Sequence, residues 1–170
     1  MRLLEQKKIP FRSYTYESEQ AITGLEVAER LGQNPEQVFK TLVTTGKSGT
    51  HYVFVIPVGA GLDLRKAAKA VGEKSLEMLK QKDLLPLTGY VHGGCSPIGM
   101  KKAFRTVIDA SALQFDSLIF SVGRFGPQGD LYPAEFVRVA TVTSADCNTV
   151  LVLCWSPHRY LFFVSPPGRS

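Results

Sequence analysis

The chain has 170 residues, 44% hydrophobic and 21% charged, a composition that excludes a disordered chain and suffices for one domain with its own core. Its net charge of +5 is compatible with a polyanionic partner such as RNA, but no basic run is long enough to form a nucleic-acid tail. No apolar run approaches the roughly 20 residues needed to span a bilayer, and the opening MRLLEQKKIPF lacks the apolar core and cleavage site of a secretory signal.

In chain order, Leu3, Leu4 and Ile9 fall on one stripe of a first helix that Pro10 stops. FRSYTY, 11–16, alternates large and polar residues and predicts a strand. TGLEVAERLG predicts a helix: Thr23 and Glu26 make a capping box, Leu25, Val27, Ala28 and Leu31 the apolar face, and Gly32 the stop. NPEQ repeats the start signal, with Asn34 as cap and Pro35 in the first turn. VFKTLVTT, 38–45, and HYVFVIPV, 51–58, predict a hairpin joined through GKSG. DLRKAAKAVG, 63–72, predicts a helix with an Asp cap and a Gly stop, and KSLEMLKQ, 74–81, another. TVIDASAL and SLIFSVG read as strands and PAEFVRVA, 133–140, as a last helix. Mixed strands and helices with hairpin neighbours predict an α+β fold: a single mixed, mostly antiparallel sheet with flanking helices. The domain is expected over 1–150, and residues 151–170, which hold the only tryptophan and end in Pro, Gly and Ser, form an atypical C-terminal tail.

Cys95, Cys147 and Cys154 form no CxxC, and His51, His92 and His158 are scattered. Neither a metal site nor a disulfide framework is expected, and the setting reads as reducing and cytoplasmic. The unusual segment is GGCSPIGMKK, 93–102. Glycines let a backbone approach a ligand and turn N–H groups inward, and Pro97 holds Ser96 extended. The spacing fits neither a phosphate-binding P-loop nor a G-x-S-x-G elbow. From residue types alone, a plain turn between two strands accounts for it equally well.

GYVHGGCSPIGMKK together with NPEQVFKTLV resembles the YbaK/EbsC family, the free-standing relatives of the editing domain inserted in bacterial prolyl-tRNA synthetases. The resemblance runs from about Leu3 to about Val139, with YTYE, VAERLG, LDLRKAAKAVG and VIDA in the same order. It implies an aminoacyl-tRNA deacylase that acts in trans on mischarged tRNA, without a cofactor or a metal. Cys-tRNA(Pro) is the first substrate implied and Ala-tRNA(Pro) the alternative; a catalytically silent module binding tRNA or a synthetase is the reading from another class. The implied partners are the 3′-terminal aminoacyl-adenosine of tRNA and prolyl-tRNA synthetase, and no membrane.

Carried over by position, Lys40 matches the family's essential lysine, and Gly93 opens the glycine–proline loop, with Gly94, Ser96 and Pro97 in register. Tyr16 and Ser121 match pocket-lining residues. Two positions depart from the pattern. Gln128 stands where some members carry an acid, with Asp130 two residues on, and Ile22 and Thr23 occupy the place of a pocket aromatic.

An aminoacyl ester is already activated, so orientation and oxyanion stabilisation carry the chemistry. The resemblance thus implies Lys40 as an electrostatic clamp and the Gly93 and Gly94 amides as oxyanion donors. A cysteinyl ester brings its own nucleophile, a thiolate that can close a thiolactone; an alanyl ester needs water. Ser96 has no histidine placed to activate it. Cys95 reads as a small buried apolar residue, and His92 as a loop-surface residue rather than a proton carrier.

Overall fold

The computed structural model describes residues 5–6, 8–15, 23–121, 127–131 and 142–144. Strand β1 (Arg12–Thr15) leads to helix α1 (Gly24–Arg30), and a single 3₁₀ turn (Pro35–Gln37) leads into the long hairpin β2 (Val38–Gly46) and β3 (His51–Pro57). Helix α2 (Leu64–Val71), strand β4 (Leu76–Met78) and helix α3 (Gln81–Thr88) follow. Strand β5 (Arg105–Ile108), a second 3₁₀ segment (Ala110–Gln114), and strands β6 (Leu118–Ser121), β7 (Pro127–Leu131) and β8 (Val142–Ser144) complete the described elements.

All eight strands join one sheet in the order β1-β7-β6-β2-β3-β5-β8, with β4 attached to β2. Among the described residues, four pairings are antiparallel and three parallel. The predicted mixed sheet is present, with a larger parallel share than hairpin neighbours alone suggest. Two of the parallel pairs arise because β5 and β6 each return to the hairpin after a crossover, β5 beside β3 and β6 beside β2, and in the third β8 lies parallel to β5.

Alternation along the hairpin divides the core between the two faces of the sheet. Tyr52, Phe54 and Ile56 pack on Ala67, Ala68 and Val71 of α2. On the opposite face Val43 and Val53 meet Leu84 of α3 and Cys95, while Phe39 and Val55 meet Ile98, Ile108, Leu118 and Phe120. Val38 and Val58 pack against Ala28 of α1 and Ile119 of β6. Phe54 and Phe120 are completely buried.

The start and stop signals work as the chemistry requires. The Thr23 side chain accepts from the Glu26 amide, and the Glu26 carboxylate accepts from the Thr23 amide at 2.7 Å. Asn34 caps the 3₁₀ turn, Asp63 accepts from the amides of Arg65 and Lys66, and Gly72 ends α2 in the left-handed region at φ 76°. Three expectations fail. TVIDASAL is a strand only as far as Ile108, because the Asp109 side chain accepts from the Ser111 amide and starts the 3₁₀ segment Ala110–Gln114. Leu25 is 47% exposed rather than part of the apolar face of α1, which buries Val27 and Ala28. KSLEMLKQ is not a helix: Leu76–Met78 pairs as β4 with Thr44–Gly46 of β2, and the helix begins at Gln81 and carries Pro86 inside it. Its apolar residues fit a strand and a helix alike, and the vacant end of the β2 edge selects the strand. Residues 5 and 6 are helical; the rest of the predicted first helix, the helix at 133–140 and the tail at 151–170 lie outside the described residues.

Replacing Thr23 by Ala removes the cap from α1. The expected loss is about 1 kcal/mol of unfolding free energy, measurable by urea titration. A smaller loss in Glu26→Gln is expected, since an amide oxygen still accepts from the Thr23 backbone.

Candidate active site

The outer edge of β2 carries two partners that do not meet. Parallel β6 pairs with Val38 and Phe39 only, through Ile119 and Phe120, and β4 pairs with Thr44 to Gly46. The next parallel pair, Lys40 with Ser121, does not form. Even-numbered residues of β2 direct their main-chain groups toward β3, as the bonds Val58 N–H to Val38 O and Gly46 N–H to Thr50 O show. The odd-numbered residues therefore face the outer edge. There the Val43 carbonyl accepts from the Leu79 amide at 2.9 Å. Thr41, opposite Val55 in the β2–β3 ladder, lies between the two outer neighbours, with its N–H and C=O facing the gap.

A cavity of about 330 Å³ opens at this gap. Thr23, Gly24 and Val27 of α1 line one side, Lys40, Thr41 and Leu42 of β2 the floor, and Leu84 of α3 with His92, Gly93 and Cys95 the other side. Ser121 closes it at the end of β6. Ligand crevices open characteristically where strands part at their carboxyl ends. Lys40 Nζ donates to the Val58 carbonyl at 3.2 Å, and desolvation holds its pKa below the ordinary lysine range. Thr41 Oγ1 is buried with no hydrogen-bond partner among the described residues. No residue type marks Thr41 in the sequence; only the pairing of its strand reveals it.

The glycine loop joins α3 to β5 and not two strands. It closes on itself: the Lys101 amide donates to Thr88 O at 3.0 Å, and the Tyr90 hydroxyl donates to Ile98 O at 2.5 Å. Gly89, Gly93 and Gly99 take φ of 85°, 84° and 74°, which L side chains rarely adopt. A compact closed loop of this kind holds its shape by internal bonds.

The expected site residues divide accordingly. Lys40, Gly93, Ser121 and Thr23 line the one cavity, although the Thr23 hydroxyl also bonds Glu26 within the cap. Gly94, Ser96 and Pro97 are buried behind the wall and do not line it. The Gly94 amide donates to Val91 O at 3.1 Å, so it is committed to the turn and not to an oxyanion. Ser96 Oγ accepts from the Ile98 amide at 3.2 Å, and the pair fixes the loop rather than a ligand. The Gly93 amide has no acceptor among the described residues. Gln128 pairs in register with Ser121 and with Tyr14, and Asp130 lies opposite Ile119. Tyr16 and Ile22 lie outside the described residues.

Cys95 lines the cavity, and burial pushes its thiol up to about 12. It stays protonated at neutral pH and is no nucleophile. Among the described residues no three His, Cys, Asp or Glu side chains gather into a metal-binding group, and no helix is long and apolar enough to cross a membrane.

A family model for the aminoacyl-tRNA editing domain matches residues 18–128. A curated protein of Enterococcus faecalis (strain ATCC 700802 / V583) is 44% identical over 150 residues, 88% of this chain and 92% of its own length. Its name proposes a Cys-tRNA(Pro)/Cys-tRNA(Cys) deacylase, EbsC. Two crystal structures share the fold. One is of a protein put forward as a trans-editing enzyme for prolyl tRNA synthetase, at 24% identity, with 85% of this chain and 91% of that chain covered and a TM-score of 0.76. The other, of a protein described as hypothetical, is 23% identical, with 85% and 95% covered and a TM-score of 0.78.

A buried hydroxyl without a partner costs stability, and replacing it by a methyl of the same shape removes that cost. Thr41→Val is therefore expected to leave the thermal unfolding midpoint unchanged or raise it, in contrast to an ordinary core substitution. A clear drop in the midpoint would mean that the hydroxyl has a partner within the fold.

Proposed function

Because the chain belongs to the aminoacyl-tRNA editing domain family, we propose that it is a free-standing deacylase that clears mischarged tRNA in trans, with Cys-tRNA(Pro) as its substrate. The observation that carries this reading is the 44% identity, over most of both chains, to a protein whose name proposes that activity. The cavity supports it. Its volume suits an aminoacyl group and part of the terminal nucleotide, and its lining combines apolar side chains with a few polar groups. We assign the activity to residues 1–150.

The chemistry follows from the lining. Lys40 brings a cation, held by the Val58 carbonyl, next to Thr41, whose hydroxyl has no partner among the described residues. Partial burial leaves that charge less screened than it would be in water, so it acts more strongly on negative charge developing at the ester. The Gly93 amide serves as a main-chain donor to the oxyanion. Ser121 and Thr41 contact the aminoacyl group. Tyr16 and Gln128 are assigned to substrate binding on the family resemblance, and Ser96 and Pro97 support the loop. In the cysteinyl ester the substrate's own sulfur attacks its carbonyl carbon, forms a thiolactone and expels the ribose oxygen. This suits a cavity whose own thiol is held protonated. The alternative, alanyl ester hydrolysis, requires a water in the place of that sulfur.

A cavity of this size cannot read the body of a tRNA. Selection of tRNA(Pro) then comes from contacts elsewhere or from prolyl-tRNA synthetase acting as a partner, and the work is done in the cytoplasm, where charged tRNA is used.

Lys40→Ala is expected to reduce single-turnover deacylation by about 10²–10³-fold, the loss typical of one transition-state donor. Its unfolding midpoint should not fall, because the ammonium is desolvated at a cost and contributes charge rather than packing. Wild-type turnover in this variant would refute the assigned role.

Substrate choice supplies the second test. Cys-tRNA(Pro) should be cleared far faster than Ser-tRNA(Pro), beyond the roughly 10²-fold that an apolar pocket can draw between near-isosteres. A thiol of pKa about 8.5 is partly ionised at neutral pH and a hydroxyl is not. The rate should rise with pH as the substrate thiol ionises, and a thiolactone should be trapped. Equal rates on cysteinyl, seryl and alanyl esters would instead support the water-dependent alternative.

A further inference from the structure

A proton released inside this cavity has few acceptors among the described residues. Among these the lining includes no carboxylate, and its titratable side chains are Lys40 on β2 with His92 and Cys95 on the glycine loop. Helix α1 contributes Thr23, Gly24 and Val27, α3 contributes Leu84, β6 contributes Ser121, and Val58 follows β3. None of these described residues is charged or titrates near neutral pH. Lys40 is a donor, already engaged with Val58 O at 3.2 Å. Cys95 keeps its own proton, with its thiol pushed up to about 12. Of these side chains, the imidazole has a ring nitrogen lone pair that can accept a proton and later return it.

The fold sets His92 where such a group is useful. The loop buries Gly94 through Ile98, while His92 and Gly93 both line the cavity and both remain exposed. His92 therefore adjoins Gly93, whose amide has no acceptor among the described residues. The sequence reading puts this histidine on the loop surface; its exposure agrees, but the surface it occupies is the rim of the cavity.

We infer that His92 is the proton carrier of the deacylation, a reading that rests on the function proposed above. Neutral imidazole accepts the S–H proton of the cysteinyl ester as a sulfur lone pair forms the C–S bond. When the tetrahedral intermediate collapses, the C–O bond breaks and its electron pair leaves on the ribose oxygen. The imidazolium returns the proton to that oxygen. The products are a thiolactone and tRNA with a free hydroxyl. Nothing is oxidised or reduced, and the histidine ends neutral.

The test is single-turnover deacylation of Cys-tRNA(Pro) by the full chain, comparing wild type with His92→Ala and His92→Asn, each with and without added imidazole. General acid–base catalysis typically contributes 10²–10⁴-fold, so both variants should lose about 10²-fold or more. Unfolding midpoints should match wild type, because the residue is exposed. Imidazole should restore part of the rate of His92→Ala and leave wild type unchanged. Near-normal rates in His92→Asn, which keeps hydrogen bonding but cannot carry the proton, would overturn the inference. A loss in His92→Ala that imidazole leaves untouched would overturn it too, by marking a steric or positioning role. Active wild type with active variants defeats this inference alone, whereas inactive wild type defeats the deacylase reading and this inference together.

Discussion

One strand edge cannot serve two partners along its whole length when those partners approach from different directions. Strand β2 pairs with β6 at Val38 and Phe39 and with β4 from Thr44 onward, and the stretch between stays open. Much else in the molecule follows from that interruption. The gap exposes the main-chain groups of Thr41, gives Lys40 a partly buried position on an interior strand, and sets Ser121 at the end of β6 facing the space. A sheet continuous along this edge would have satisfied those groups and left no cavity.

The elements around the gap are held by ordinary means. Helix α1 is fixed by its capping box and by Ala28 against Val38, Val58 and Ile119. Helix α3 is fixed by Leu84 against Val43 and Val53. The glycine loop hangs from α3 and is tied to itself at both ends, so that a backbone rich in left-handed glycines keeps one shape. Its proline and serine work inside the loop, and its opening residues reach the cavity. The site thus combines a rigid floor from the hairpin with a wall whose donors are main-chain groups, a combination suited to stabilising charge that develops on a substrate.

The polar lining also has a definite character. Among the described residues it offers a cation, hydroxyls, an amide and an imidazole, and no carboxylate. Such a site favours negative charge on its ligand and lacks the paired acids of a glycosidase or an aspartic protease. The Cys95 thiol is buried and held protonated. The chemistry therefore depends on what the substrate brings, and the protein contributes position, charge and a route for the proton.

The sequence by itself determined the local signals. Thr23 with Glu26, Asn34 with Pro35, and Asp63 with Gly72 are start and stop codes whose partners lie within a few residues, and each forms as read. The hairpin is legible for the same reason, since alternation is a local pattern. Lys40 and Gly93 were legible through a motif resemblance covering most of the chain. Three matters were decided only by tertiary structure. Leu76–Met78 is a strand because the edge of β2 is vacant there, a fact about residues thirty positions away. Ser96 and Pro97 sit behind the wall and His92 on the rim, because the loop's closing bonds, and not its composition, set which side chains turn inward. Thr41 belongs to the site because two strands part beside it. A threonine in a β-rich run looks the same whether its neighbours pair with it or leave it open, and only long-range contacts distinguish the two.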